Sequence, residues 1–246
     1  MKIHYLLKDP NEKVIDVFSL GVEVLTEPFV EALGVVPPAG SYKPICPNNV
    51  LVREKRLKEV EETLNTNLVT SIWLYNLHFP TVWNAPEPTL LDTCYCKHCI
   101  TNFSAYLGGE SLPTAKNELV EAIEGQYYIE WLEFKCKTIT SFVEDVKKLI
   151  GVCGRTVKLG IFVPPWNDKE YGSGITRLLG LDLYTLSGLV DVISPMLFYK
   201  ELARDLEWVG GMLDYYKAFT GAKIIPSFVD NLDNLACDKL IVFNTV

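Results

Sequence analysis

The chain is 246 residues long, 48% hydrophobic and 22% charged, which suits a folded domain with a substantial core and leaves no charge-rich or low-complexity tract. Its formal net charge of −8, with no cluster of Lys and Arg, argues against a nucleic-acid surface and for a sugar or another neutral or cationic small ligand. No run of about 18 uncharged apolar residues is available for a membrane span, and the opening MKIHYLLKDPNEK turns charged too soon for a secretion signal, so a cytoplasmic protein with reduced thiols is expected.

Residues 1–25 contain two short apolar segments, IHYLL and VIDVF, which can form two strands or a hairpin. From residue 43 onward, strand-like and helical segments alternate as in parallel βα units. Strands are predicted at 43–46, 70–79, 157–163, 190–198, 223–229 and 239–244. A helix over 53–65 places Leu57, Val60 and Leu64 on one face, and ITNFSAYL after the cysteine cluster reads as another. Over 128–150, Trp131, Phe134, Thr138, Phe142, Val146 and Leu149 recur three or four apart, with Gly151 as the predicted stop. A further helix over 202–219 presents Leu206, Val209, Leu213 and Tyr216. The order predicts one α/β domain, 1–246, with a TIM (β/α)8-like barrel. The barrel closes if the N-terminal segments supply two strands; otherwise it is short by one N-terminal βα unit and leaves an edge for another element or a second copy to cover.

Cys46, Cys94, Cys96 and Cys99 form the most specific pattern. C-x-C-x-x-C in the loop LLDTCYCKHC supplies three soft ligands and Cys46 a distant fourth, with His98 as the alternative to Cys46, the donor set of a structural zinc site joining two parts of the fold. Cys136, Cys153 and Cys237 fit no motif and read as core thiols. Two alternatives stand beside zinc at the cluster: a redox dithiol at Cys96 and Cys99 ahead of a helix, in a thiol redox or metal-handling protein, and four inert thiols.

Several segments between about residues 43 and 230 together resemble TIM-barrel glycoside hydrolases, especially the zinc-containing β-galactosidase group and related glycosidase-like barrels. They are Cys46-Pro47-Asn48 with the helix after it, Ile72-Trp73-Leu74 running to His78-Phe79-Pro80, the cysteine cluster leading to Phe103, and Val190 to Met196 ending at Tyr199. The resemblance implies a site at the C-terminal ends of the strands and hydrolysis by two carboxyl groups. The chain departs from that pattern where the family acid should stand. Asn76 is followed by Leu77, and in the other alignment Tyr75 occupies the acid's place and His78 that of an arginine. Either another acid serves, or the reaction differs, or the barrel binds carbohydrate without cleaving it.

Asp92, Asp168, Glu170, Glu201 and Asp230 are the carboxylates near predicted strand ends, and Asp230, just past KIIPSFV, is the first choice as a catalytic group. His78, at the mouth end of an apolar strand, is the second. Strand alternation places Ile72, Leu74, Asn76 and His78 on one face; if that face points inward, Asn76 and His78 meet in the ligand site. Trp83, Trp166 and Tyr199 follow three strands and offer ring faces to a sugar. Asp191 opens its strand and reads as a capping or pairing residue at the opposite end.

Overall fold

The computed structural model describes residues 5–7, 15–19, 46–66, 69–81, 86–90, 92–229 and 241–243. In chain order the elements are β1 (Tyr5–Leu7), β2 (Ile15–Ser19), α1 (Val50–Thr66), β3 (Ser71–Tyr75), α2 (Lys97–Tyr106), α3 (Lys116–Glu124), α4 (Tyr128–Val152), β4 (Lys158–Val163), α5 (Gly174–Arg177), α6 (Leu183–Ser187), β5 (Val192–Pro195), α7 (Leu206–Phe219), β6 (Lys223–Ile224), β7 (Ser227–Phe228) and β8 (Ile241–Phe243). No helix among the described residues is long and apolar enough to cross a membrane. Of the predicted strand at 43–46 only Cys46 is described, and it leads into a turn; Cys237 lies outside the described residues.

Strands β2-β3-β4-β5-β6 make one sheet, parallel throughout, and β1-β8-β7 make a second. A parallel bridge between Met196 and Ser227 joins the two. The predicted strand 223–229 divides at Ile225-Pro226. Ile225 still donates to Ile193, whereas Pro226, which has no N–H, turns its carbonyl to Ile241 of β8. Both N-terminal segments are strands, and they take opposite ends of the strand order. β2 runs parallel to β3, while β1 runs antiparallel to β8, a departure from the all-parallel pattern expected.

The strands are apolar on both faces, so they read as nearly continuous hydrophobic runs. Ile72 and Leu74 of β3, Leu159, Ile161 and Val163 of β4, and Ile193 of β5 pack into the larger core with Val60 and Leu64 of α1, Phe142, Val143 and Val146 of α4, and Val209 and Tyr216 of α7. The other sheet face carries a smaller cluster of Trp73, Phe162, Val192, Met196 and Ile225, with Tyr75 and Phe198 against it. Gly160 makes room for Trp73: a Cβ there would meet the indole at 2.5 Å. Trp73 and Tyr75 therefore lie on the sheet face away from the helices, and Ile72 and Leu74, for which alternation leaves the inward orientation conditional, pack on the helix side. Alternation also ends early. Asn76 has a φ of 50°, which turns the chain out of the strand, and Leu77 and Phe79 after it enter the helix-side core.

Two helix details differ from the sequence reading. Gly151 lies inside α4, which continues to Val152 and ends before Gly154 at a φ of 69°, the left-handed conformation open to glycine. Leu206 begins α7 next to its N-cap Asp205 and is 53% exposed, outside the core that Val209, Leu213 and Tyr216 join.

Candidate functional site

Cys46 lies just before α1, Cys96 is the N-cap of α2, and Cys99 lies in its first turn. Together with Cys94 they bring four buried sulfurs within 4.8 Å of one another, with Cys46 Sγ 3.2 Å from Cys99 Sγ and 3.4 Å from Cys96 Sγ. A disulfide needs about 2.05 Å, and all four are free thiols. Four sulfurs at about 2.3 Å around one ion sit about 3.8 Å apart, so these positions fit a tetrahedral metal.

The electrostatics agree. Hydrogen bonding with Cys94 and Cys96, then burial, pushes the Cys46 thiol up, and burial followed by its three sulfur neighbours does the same to Cys99. Cys96 is pulled down, first by Cys46 and then by Cys94. One thiolate is thus favoured while its neighbours resist further negative charge. A bound cation removes that resistance, and the nearby N-termini of α1 and α2 favour an anionic cluster. Asn48 Nδ2 donates to Cys99 Sγ at 3.3 Å, and Asn48 Oδ1 accepts from Asn102 of α2 at 3.2 Å and Thr138 of α4 at 3.4 Å. These outer contacts orient the sulfurs. The four cysteines can hold a metal ion. As a redox pair, Cys96 and Cys99 lack access, being 7% and 0% exposed.

The same loop grips the segment that leaves β3. Thr93 Oγ1 donates to the Pro80 carbonyl at 2.7 Å. Asp92 accepts from Lys135 Nζ at 3.2 Å, and that fully buried ammonium also donates to the Arg177 carbonyl at 2.9 Å and lies 5.1 Å from the Phe79 ring centre. Burial lowers the Lys135 pKa, and Asp92 opposes that shift. Of the carboxylates singled out by sequence, Asp92 is therefore an ion-pair partner of Lys135 within the cysteine loop. Glu170 accepts from Asn167 N at 2.8 Å within the loop after β4, and Asp191 accepts from Leu159 N at 2.8 Å at the opposite end of the sheet, the pairing role expected of it.

His78 is 5% exposed, with Nδ1 2.7 Å from the Phe79 carbonyl. A carbonyl only accepts, so Nδ1 carries the proton. Burial lowers the His78 pKa to about 4, against a small opposing pull from that carbonyl, and the imidazole is neutral near pH 7. Asn76 is 8% exposed and forms the left-handed turn after β3. Trp166 is 4% exposed, its ring centre 4.6 Å from that of Tyr171, and Tyr216 Oη donates to its carbonyl at 3.1 Å. Tyr199 is half-buried and, with Glu201, borders a depression at the ends of β5 and β7. Tyr75 packs against the smaller cluster with its ring edge toward Phe162 at 5.9 Å between centres, and burial raises its pKa. Trp83 and Asp230 lie outside the described residues.

Sequence reading missed Asn48, Thr93 and Lys135 as supports of the cluster. Lys135 had one weak signal, a charge beside the apolar stripe of α4; Asn48 had its place two residues from Cys46.

The fold is similar to those of solved glycoside hydrolases. The PgaB (BpsB) glycoside hydrolase domain from Bordetella bronchiseptica matches with a TM-score of 0.63 at 10% identity, over 86% of this chain and 59% of that one. β-Galactosidases from the haloarchaeon Halorubrum lacusprofundi and the psychrophilic Marinomonas ef1 match with TM-scores of 0.55 and 0.53, at 13% and 10% identity, over 91% and 87% of this chain. The chain spans 39% and 37% of those two enzymes. No family model and no curated protein sequence matches it.

Proposed function

We propose that this chain is a glycosidase-like TIM-type barrel, one domain over 1–246, that acts on a carbohydrate and is stapled by structural zinc at Cys46, Cys94, Cys96 and Cys99. One observation carries the reading: four buried sulfurs converge within 4.8 Å in a fold similar to those of glycoside hydrolases. Four thiolates form a closed donor set with no open position for substrate, so the ion supplies stability and not chemistry.

For the reaction we assign Asp230 as a carboxyl group in a two-carboxyl hydrolysis and His78 as a neutral group at the end of β3 that can accept or relay a proton. Asn76, Trp83 and Tyr199 contribute to the sugar site, and buried Trp166 supports the loop after β4 from beneath. A cytoplasmic setting keeps the thiols reduced, and an open sheet edge provides for self-association.

A second reading, a barrel that binds carbohydrate without cleaving it, is favoured by Tyr75, which presents a phenol inward where the family acid is expected. Metal analysis and a screen of aryl glycosides test these readings, with Asp230→Asn and His78→Ala as controls. Stoichiometric zinc with glycoside cleavage abolished in Asp230→Asn supports the enzyme. Zinc and sugar binding without turnover supports the second reading. Protein folded without metal and indifferent to saccharides would remove both.

A further inference from the structure

Among the described residues, four besides glycine take a left-handed backbone: Asn76 at a φ of 50°, Tyr171 at 54°, Ser173 at 58° and Ala203 at 51°. All four lie beyond the C-terminal end of a strand, Asn76 after β3, Tyr171 and Ser173 after β4, and Ala203 after β5. A Cβ makes that conformation unfavourable, so it persists only where other contacts hold the chain. Asparagine tolerates it best, which leaves the loops after β4 and β5 as the segments that need holding.

Glu87, in the loop after β3, touches both. Its Oε2 accepts from Tyr171 Oη at 2.7 Å, and its Oε1 lies 3.5 Å from Nη2 of Arg204, the residue after Ala203. One carboxylate thus reaches the two loops through its two oxygens, at a left-handed residue in one and beside a left-handed residue in the other. The loop after β4 is braced a second time. Arg177 donates from Nη2 to the Tyr171 carbonyl at 3.1 Å and from Nε to the Gly172 carbonyl at 3.2 Å, and its own carbonyl accepts from Lys135, the partner of Asp92. Glu87 and Asp92 stand five positions apart, so the connection after β3 meets the loop after β4 at two points.

We infer that Glu87 is a positioning residue, a latch that ties the loops after β3, β4 and β5 into one rim at the C-terminal ends of the strands. Its chemistry suits a latch better than a fixed support. The bond from Tyr171 is charge-assisted, whereas Glu87 is 59% and Arg204 39% exposed, where water and salt weaken an ion pair. A few exposed contacts therefore hold strained backbone in place, and breaking them frees both loops together. The inference goes beyond the carbohydrate reading and stands or falls apart from it, because the rim is the same whatever the ligand.

Hydrogen exchange of the full chain, read by mass spectrometry, tests the latch. The reporters are amides bonded within their own loops: Asn167, Glu170 and Gly174 after β4, and Leu202, Ala203 and Arg204 after β5. Glu87→Ala should speed exchange by about threefold or more in both sets, with α4 and the thermal unfolding midpoint unchanged. Tyr171→Phe should speed only the set after β4. Adding it to Glu87→Ala should make that set no faster than Glu87→Ala alone, a shared effect that two separate packing defects would not give. Glu87→Gln keeps an acceptor for Tyr171 and loses the charge facing Arg204, so it should loosen only the set after β5, as high salt should in the wild type. Glu62→Gln, in the exposed Lys58–Glu62 pair of α1, should alter neither set. Unchanged exchange in Glu87→Ala, loosening of one loop without the other in that variant, or effects of Glu87→Ala and Tyr171→Phe that simply add would overturn the latch.

Discussion

His78 makes the stability of the fold depend on pH in a window that can be worked out. Its folded-state pKa of about 4 lies below the ordinary 6.5 because the buried ring is costly to charge. The unfolded chain therefore binds the proton more readily, and the stability associated with neutral His78 is fully present above about pH 6.5 and lost as pH falls to about 4. A difference of roughly two and a half units at about 1.4 kcal/mol each gives a loss of about 3 kcal/mol, an appreciable part of the stability of a domain. The assay is urea unfolding of zinc-loaded protein, followed by tryptophan fluorescence, from about pH 7 to pH 4 in wild type and His78→Gln. Acid release of metal from the thiolates and protonation of Asp145, a half-buried carboxyl held low by Arg53 and Lys148 against partial desolvation, affect both proteins alike. The difference between their curves isolates the histidine. His78→Gln should be less stable at pH 7 and converge with wild type by about 3 kcal/mol on acidification; parallel curves across the window would refute the buried neutral imidazole.

Cys96→Ser, or a strong chelator, should lower stability by several kcal/mol and reduce bound zinc below one per chain, measured by metal analysis and thermal unfolding; indifference to both would remove the staple. Gly160→Ala should cost about 1–3 kcal/mol in chemical denaturation, because the new methyl meets the Trp73 indole at 2.5 Å; a neutral or stabilising effect would mean that Trp73 does not fill that face. Asp92→Asn should cost about 3 kcal/mol or more by leaving the Lys135 ammonium buried without its carboxylate. Lys135→Met should cost less, since Asp92 is 26% exposed and can be hydrated; the reverse order in equilibrium unfolding would contradict the pair as described.

The sequence by itself determined the longer helices α1, α2, α4 and α7 and the clustering of the four cysteines, but not α3, α5 or α6. Val60 and Leu64, Phe142 and Val146, and Val209 and Tyr216 recur at helical spacing, and each pair enters the core; the C-x-C-x-x-C loop and Cys46 marked the four sulfurs that converge. Strand positions followed from apolar runs, but their inward face did not. In β3 Ile72, Trp73 and Leu74 are all apolar and all buried, so alternation carries no contrast, and only the packing of Trp73 on Gly160 shows which side faces in. The end of that strand rests on the backbone angle of Asn76, and the partner of β1 on a pairing between opposite ends of the chain. Lys135 reads as one more charge on a helix until Asp92 and the Arg177 carbonyl close around it. Periodicity and ligand spacing are local and are written in the order of residues. Strand partners, buried charges and the walls of a ligand site depend on residues far apart in the chain, and only tertiary packing brings those together.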